Sequence, residues 1–418
     1  MRVLLSAYAC EPEKGSEPGV GWHWANEIAS RGHHVIVITR SNNQNSIQNI
    51  DLQGKDIRFL YYDLPHSFLA LKRIFGVHLY YFFWQLGLFF YVKKRLSTIQ
   101  PDIIHHLTFV SIKKISFLPF LNKPFFYGPL GGGESCPLYL LKGSGFKNII
   151  KELLRDLLNN LVRFRPLSLI IFKKAELIFT TTKESLLYLP KSVRKKTSVS
   201  PAIGINNTEV AGIHDFSQNK KDETLRILFV GNFLYLKGIQ LALDALSDLK
   251  RKNIDFEFTL IGAGEFKKKL QDKAIKLNIV KQIKWINWVP QSQLKKFYES
   301  HDVFLFPGLH DSGGMVVVEA QSYGMPVISF NLGGPAYFNN NNIGWVIDVV
   351  GKNYSKVIME MSWVLESIAE DRSLLIDKST LCKTSSNLHT WQQRVGEVYQ
   401  TIESYCAKIK NLENTGNT

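Results

Sequence analysis

The sequence has few cysteines, and none lies in a pattern that binds zinc or builds a disulfide framework. Its 418 residues contain four cysteines, without Cys-x-x-Cys spacing. Such a pattern is typical of a reducing compartment. The first residues lack the basic stretch, long apolar run and cleavage site of a signal peptide, so we expect a first strand there. These absences predict a cytoplasmic location.

Two further patterns are missing. No Gly-x-Gly-x-x-Gly follows the first strand of either half, which disfavours a dehydrogenase, and no short internal repeat occurs. The chain is 45% hydrophobic and 21% charged, as in globular proteins. Its length favours two domains over one.

Apolar runs alternate with helical patterns, which predicts βαβ units and parallel sheets. The expected strands of the first half are Val3–Tyr8, Val35–Thr39, Ile103–His105, Phe125–Tyr127 and Leu177–Thr180. Those of the second half are Arg226–Val230, Phe256–Ile261, Ile283–Trp285, Val303–Phe306 and Val327–Phe330. The sequence therefore predicts an α/β fold of two Rossmann-like domains, whose parallel sheets face each other across a cleft.

The expected domain boundaries lie where the amino-acid composition changes. Residues 1–200 form an N-terminal domain and 225–388 a C-terminal domain, joined by a polar, Gly-containing linker at 201–224. Residues 389–410 form a closing helix that returns to the first domain. The tail, 411–418, is expected to be disordered.

Positive charge is concentrated in the first half. Residues 1–210 hold 27 Lys and Arg against 14 Asp and Glu, a net +13 of the total +15. This asymmetry favours an anionic partner, which charge alone leaves open between a membrane surface and nucleic acid. The alternative is a merely well-solvated surface.

The aromatic segment Ile74–Val92 is about as long as a membrane span. It contains His78 and Gln85 and has basic residues on both sides. Because aromatic rings prefer interfaces, we favour an interfacial or surface-packed helix over a buried core helix, and both over a span.

Residues 306–329 carry the strongest chemical signal. A strand ends near Phe306, a loop carries Asp311, Gly313 and Gly314, and a helix beginning near Gly314 carries Glu319. Ligands of open α/β sheets bind at the carboxyl ends of strands, and a helix N-terminus here, including Met315, offers N–H groups to phosphate. A carboxylate suits a ribose diol, since its oxygens accept hydroxyl hydrogen bonds. The alternative is an ordinary acidic loop and helix.

This segment resembles the donor-site motif of family 4 retaining glycosyltransferases, which have the two-Rossmann-domain GT-B fold. Two glutamates separated by seven residues mark that motif. Glu319 matches the second, which binds the donor ribose in the family. Asp311 stands where the first is expected, beside the transferred sugar, with an arm one methylene shorter.

A second match lies at residues 226–246. A strand runs into Gly231, and Lys237 stands at the start of a helix, where an ammonium group and the helix dipole favour a diphosphate. The family has this lysine, and an arginine where this chain has Asn232. The chain therefore lacks the guanidinium group that could form two parallel hydrogen bonds to a phosphate. For Lys237 alone, a solvated lysine is the alternative.

Three other loops are expected to line the donor and acceptor sides. The first loop, 11–22, is glycine-rich as in the family. Gly19 and Gly21 are the expected donor contacts, and Gly15 is a third candidate. The alternative is a tight turn that binds no ligand. Residues 285–290 resemble the family loop that holds the nucleotide base through backbone groups, including Val289. The acceptor-side loop is glycine-dense: Gly131, Gly132, Gly133 and Glu134.

The family also has a histidine near the transferred sugar. His105 is the first candidate for that catalytic position and His106 the second, although a lone histidine is more often structural.

The resemblance implies a retaining hexosyltransferase that needs no metal or other cofactor, and no Asp-x-Asp triplet occurs in the chain. The expected partners are a UDP- or GDP-linked sugar, a glycan or lipid-linked acceptor and an anionic membrane surface on the cytoplasmic side, without nucleic acid. Two alternatives stay open: a nucleotide-sugar epimerase of the same fold, and a non-catalytic sugar-nucleotide or lipid-binding protein.

Overall fold

The computed structural model describes residues 1–109, 111–206 and 224–415. Most of the expected linker, 207–223, and the last three residues of the expected tail lie outside this range. The chain divides into two compact units. The first comprises 1–133, 157–203 and 391–418, and the second comprises 134–156 and 204–390.

The first unit is built on a seven-stranded parallel sheet. Its strands are β1 (Arg2–Ala7), β2 (His34–Thr39), β3 (Ile57–Tyr61), β4 (Ile103–Thr108), β5 (Phe125–Leu130), β6 (Leu177–Thr180) and β7 (Thr197–Val199). They lie in the order β3-β2-β1-β4-β5-β6-β7. The central strands are buried on both faces, which explains their continuous apolar runs.

Within the described part of the chain, seven helices include residues of the first unit. They are α1 (Ser16–Ser30), α2 (Gln44–Ile47), α3 (Ser67–Ile99), α4 (Phe146–Leu161), α5 (Pro166–Lys174), α6 (Lys183–Tyr188) and, after the second unit, α14 (Trp391–Thr415), with short 3₁₀ turns between them. α4 begins in the second unit and ends in the first.

The second unit has a six-stranded parallel sheet. Its strands are β8 (Leu225–Val230), β9 (Phe256–Ile261), β10 (Ile283–Ile286), β11 (Val303–Phe306), β12 (Val327–Phe330) and β13 (Trp345–Ile347), in the order β10-β9-β8-β11-β12-β13. Its helices are α7 (Ile239–Arg251), α8 (Lys267–Lys276), α9 (Gln291–Ser300), α10 (Met315–Ser322), α11 (Pro335–Phe338), α12 (Tyr354–Glu370) and α13 (Ser373–Asn387).

Two parallel sheets with helices between the strands confirm the predicted fold class. The structure differs from the expected boundaries at residues 134–156, which belong to the second unit although they lie within the first half of the chain. The tail prediction was wrong for 411–415, because α14 continues to Thr415. α14 is tied to its own unit by Glu403, which accepts hydrogen bonds from Arg31 and contacts His33 at 2.9 Å.

The aromatic segment Ile74–Val92 lies within α3. One face of this helix, including Trp84, Leu88 and Val92, is fully buried in the core of the first unit. The helix therefore packs on the core by one face, as the surface-packed form of the prediction expects, and contact of its other face with a membrane stays a prediction. Ile74 and Phe90 remain exposed. Among the residues that the structure describes, no helix is long and apolar enough to cross a membrane.

Candidate active site

The sheet order of the second unit creates a switch point between β8 and β11. From β8 the chain proceeds to β9 on one side, whereas β11 lies on the other side. The loops that follow β8 and β11 therefore diverge from neighbouring strand ends and leave a crevice, the usual ligand position in such sheets. Lys237 lies in the loop after β8 and Asp311 in the loop after β11.

These two side chains form an ion pair. The Nζ of Lys237 donates a hydrogen bond to Oδ2 of Asp311 at 2.5 Å. About a fifth of each side chain is exposed. Lys237 also lies 5.1 Å from the ring centroid of Phe306, the last residue of β11. Solvent screens such a partly buried pair less than a surface pair.

Asp311 also caps the start of α10. Its Oδ1 accepts hydrogen bonds from the backbone N–H groups of Gly313 at 3.0 Å and Gly314 at 3.2 Å. Burial alone would raise the pKa of the Asp311 carboxyl. The Lys237 ammonium and the two backbone donors outweigh burial, so the pKa of Asp311 lies below its usual value.

The ammonium group and the helix N-terminus therefore already bind an anion, which is the carboxylate of Asp311. They are the same groups that the sequence assigns to a phosphate. A ligand phosphate that reached them would compete with Asp311, and the carboxylate would become free to face another part of the ligand.

Gly238 positions the lysine-bearing turn. Its φ is +68°, and a Cβ atom here would lie 1.8 Å from the carbonyl oxygen of Pro307, at the start of the Asp311 loop. Only a residue without a side chain lets the two loops approach this closely. Sequence analysis identified Lys237 but did not assign this role to the glycine that follows it.

We expect Gly238→Ala to lower the free energy of unfolding by about 3 kcal/mol, through backbone strain and the clash with Pro307. Gly351→Ala is the matched control, since Gly351 has a φ of +72° with no atom within 4 Å of the added Cβ. The control should cost about 1 kcal/mol. Equal losses in denaturant unfolding would show that the close approach contributes nothing.

A third loop packs against Asp311. The N–H of Gly334 donates to the backbone carbonyl of Asp311 at 2.8 Å. A Cβ at Gly333 would lie 2.2 Å from that carbonyl oxygen and 3.5 Å from Cγ of Glu134. Buried Glu134 therefore lies beside the Asp311 loop, in the second unit. Its expected place in the first domain was wrong, because the chain enters the second unit at this residue, whereas its contact with an acceptor stays a prediction.

Glu319 is held by side chains of α9. It is buried in α10, and its carboxylate accepts hydrogen bonds from Gln291 Nε2 and from the Tyr298 hydroxyl, both at 3.2 Å. Gln291 directly follows the 285–290 loop, which the sequence assigns to the nucleotide base. Glu319 thus lies next to the base loop, and the Lys237–Asp311 pair lies at the switch point.

We expect Glu319→Gln to weaken binding of a nucleotide-sugar donor by about tenfold or more, because a neutral amide is a poorer partner for a ribose diol than a carboxylate. The side chain keeps its shape, so the melting temperature should change little. Calorimetric titration measures the affinity. The control is Glu257→Gln, whose carboxylate pairs with Lys284. Unchanged donor affinity in Glu319→Gln would remove Glu319 from the site.

The other predicted donor residues of the second unit lie in the loops after β8 and β10 or at the start of α10. Gly231 follows β8 with a φ of +152°, and the next residue, Asn232, is exposed. Met315 is the first residue of α10. Val289 is partly buried in the loop after β10. Their contacts with a donor remain predictions.

His105 lies inside the first sheet, fully buried on β4. Its Nε2 donates to the carbonyl oxygen of Gly128 at 2.8 Å, so its Nδ1 accepts from the Tyr399 hydroxyl at 3.1 Å. Burial lowers the pKa of His105 to about 4. His106 is equally enclosed, between Tyr81 and Ser116. The structural alternative therefore accounts for both histidines, and a sugar contact at either would require existing bonds to break.

The glycines of the first unit have packing roles. A Cβ at Gly19 would lie 2.1 Å from the carbonyl oxygen of Lys14, and one at Gly21 would lie 2.1 Å from that of Ala9. Both glycines thus let α1 pack under its own preceding loop, whereas Gly15 faces open space.

The glycine-dense segment Gly131, Gly132 and Gly133 continues from β5. Gly131 bridges to Ser111, Gly132 has a φ of +86°, and the N–H of Gly133 donates to Ser185 Oγ at 3.0 Å.

The chain contains two Rossmann-like units, and the second has a lysine–carboxylate pair at its switch point. This fold is the two-domain GT-B architecture. The family model described as "Glycosyl transferases group 1" matches residues 212–374, which lie in the second unit. The resemblance noted in the sequence is therefore confirmed for this region, which is similar to the group 1 glycosyltransferases.

Curated relatives match the chain over a similar length. The amylovoran biosynthesis glycosyltransferase AmsK of Erwinia amylovora is 30% identical over 158 residues, which cover 35% of this chain and 39% of the relative. The D-inositol 3-phosphate glycosyltransferase of Paenarthrobacter aurescens is 27% identical over 46% of each chain. The chain thus spans less than half the length of these curated relatives.

Solved structures are similar over almost the whole chain. Sucrose-phosphate synthase from Thermosynechococcus elongatus superposes with a TM-score of 0.66 at 15% identity, covering 97% of this chain and 99% of that one. Anabaena HepE, solved in complex with UDP-glucose, has a TM-score of 0.59 at 13% identity, over 96% and 99%. At these identities the likeness establishes the fold.

Proposed function

We propose that this protein is a retaining glycosyltransferase that moves a hexose-type sugar from a nucleotide-sugar donor to an acceptor glycan. The observation that carries this proposal is the Lys237–Asp311 pair at the switch point, 2.5 Å apart, with Glu319 buried beside the base loop. Lys237 offers a cation for a diphosphate and Glu319 a carboxylate for a ribose, and these two groups are neighbours in a nucleotide sugar. The UDP-glucose complex of HepE, a protein of the same fold, supports this type of donor.

In the proposed reaction the bond between the anomeric carbon and the leaving phosphate breaks. The acceptor oxygen bonds to that carbon on the same face and loses its proton to the leaving phosphate. Lys237 and the N–H groups at the start of α10 balance the charge that develops on the phosphate. Asp311, released from Lys237, stabilises positive charge on the sugar ring and forms no bond to it. This scheme uses no metal ion.

The proposed acceptor is a lipid-linked glycan or polysaccharide precursor at the cytoplasmic face of a membrane. The name of AmsK, an amylovoran biosynthesis glycosyltransferase, supports a polysaccharide product. The net +13 of residues 1–210 favours an anionic surface over nucleic acid when combined with the glycosyltransferase domain.

A thermal-shift panel of UDP, GDP, ADP and their sugars tests the donor. A ligand that binds the native state raises the melting temperature, so one nucleotide series should stand out. Transfer from that sugar to a lipid extract should then persist with a chelator present, and NMR should show that the anomeric configuration is retained. No shift with any nucleotide would overturn the proposal.

The same assays separate the alternatives. Isomerisation of the donor without an acceptor would indicate an epimerase. The non-catalytic alternative is favoured by Asn232, which stands where the family has arginine. Donor binding without turnover, and no gain of activity in Asn232→Arg, would establish it.

A further inference from the structure

Helix α4 presents its apolar side to solvent. Six aliphatic residues on this helix are exposed by 40% to 55%: Ile150, Leu153, Leu154, Leu157, Leu158 and Leu161. Phe146 at its start and Phe164 just beyond its end are exposed by 75% and 71%. At about 100° per residue, the exposed apolar residues of α4 occupy one arc of about 140°. We call this arc the α4 apolar face.

The opposite side of α4 is polar and buried, so the helix is inverted relative to an ordinary surface helix. Glu152 and Asn159 are completely inaccessible to solvent. Glu152 Oε1 accepts from the Tyr235 hydroxyl at 2.6 Å, and its Oε2 accepts from Arg155 at 2.7 Å. These bonds fix the rotation of the helix, because turning the apolar face inward would break them and leave the buried Tyr235 hydroxyl without its carboxylate partner.

Basic residues border the α4 apolar face. Lys147 and Lys151 are exposed and lie at the edge of the arc, next to Leu154 and Leu158 in helical projection. Arg163 and Arg165 follow within four residues of the helix end. A leucine- and phenylalanine-rich face with a basic edge matches a membrane interface, in which acyl chains lie below anionic headgroups.

We propose that the α4 apolar face docks on an anionic lipid surface, lying in the plane of the interface. The proposal deepens the proposed function, because it rests on a lipid-linked acceptor and identifies the segment that would bring the enzyme to it. It replaces Ile74–Val92 as the membrane-binding candidate, since that segment has its Trp84 face in the core. An exposed apolar arc of this size is otherwise unfavourable in water.

Vesicle co-sedimentation tests the proposal with the full-length protein. We expect binding to phosphatidylcholine vesicles that contain phosphatidylglycerol, and weaker binding without it or at high salt. Leu153→Gln with Leu157→Gln should weaken binding by about tenfold or more, since two buried leucines are lost from the interface. Lys147→Gln with Lys151→Gln should weaken only binding to the anionic vesicles, by about tenfold.

The matched control is Leu374→Gln with Leu381→Gln, two exposed leucines on α13, which should bind vesicles like the wild type. Circular dichroism and the nucleotide-induced thermal shift should be unchanged in all variants, which separates this result from failure of the proposed function. Wild-type vesicle binding in the α4 leucine variant would overturn the proposal. The proposal would also be overturned if the wild type bound no vesicles and formed a dimer that the α4 leucine variant dissociates.

Discussion

Replacing Lys237 with methionine should lower kcat/KM for sugar transfer by about a hundredfold or more. The substitution keeps the length and apolar stem of the side chain and removes the ammonium group, which would otherwise balance the leaving diphosphate. The affinity for the nucleoside diphosphate should fall as well. Titration calorimetry and steady-state kinetics with the donor found in the thermal-shift panel measure the two effects.

Lys273→Met is the matched control. Lys273 pairs with Asp244 at 2.6 Å in the same unit, with exposures similar to those of the Lys237–Asp311 pair, but joins α8 to α7. The control therefore removes an equivalent ion pair away from the switch point. Comparable losses of activity in both variants would mean that Lys237 acts only through folding.

Replacing Asp311 with asparagine should separate binding from turnover. Transfer should fall by about a hundredfold, because the amide carries no charge to stabilise the sugar ring. The affinity for the nucleoside diphosphate should stay the same or increase, since Lys237 no longer has a carboxylate partner. If the transfer rate and the affinity for the nucleoside diphosphate both fell, the result would contradict the idea that a donor phosphate takes the place of Asp311 beside Lys237.

The Asp311 variant should also change how stability depends on pH. Because the pKa of Asp311 is depressed in the folded state, its ion pair stabilises the protein above the usual carboxyl pKa of about 4 and loses this effect as the pH falls. The stability difference between the wild type and Asp311→Asn should therefore be present at neutral pH and shrink in acid. Asp244→Asn removes the carboxylate of the control pair Lys273–Asp244. It tests whether this pH dependence of stability is specific to the switch point.

The sequence predicted the centre of each sheet and the loops of the candidate site. Strands such as β8 and β11 are buried on both faces and carry continuous apolar runs, so their ends could be located. Because carboxyl ends of parallel strands share one edge, Lys237 and Asp311 could be expected near each other although 74 residues separate them.

Three of the four edge strands were not found in the same way, whereas the edge strand β10 was predicted as Ile283–Trp285. The sequence missed β3, β7 and β13, and all three lie at an edge of their sheet. Edge strands are short or partly exposed, so their composition does not differ from that of a loop. The 134–156 segment escaped prediction for another reason: its contacts with the second unit, such as Glu152 with Tyr235, join residues far apart in sequence.

The histidines show a limit of strand patterns. Successive residues of a strand point to opposite faces, so one of His105 and His106 would face solvent in a sheet covered on one side only. This sheet is covered on both sides, and α14 brings Tyr399 onto His105 from the other end of the chain. Nothing in the local sequence indicates that contact.

An experimental structure with the nucleoside diphosphate that gives the largest thermal shift tests the central claim most directly. We predict a phosphate oxygen within hydrogen-bonding distance of the Lys237 ammonium group, the ribose against Glu319, and Asp311 turned away from the lysine. A nucleotide bound elsewhere, with the Lys237–Asp311 pair intact, would contradict the account.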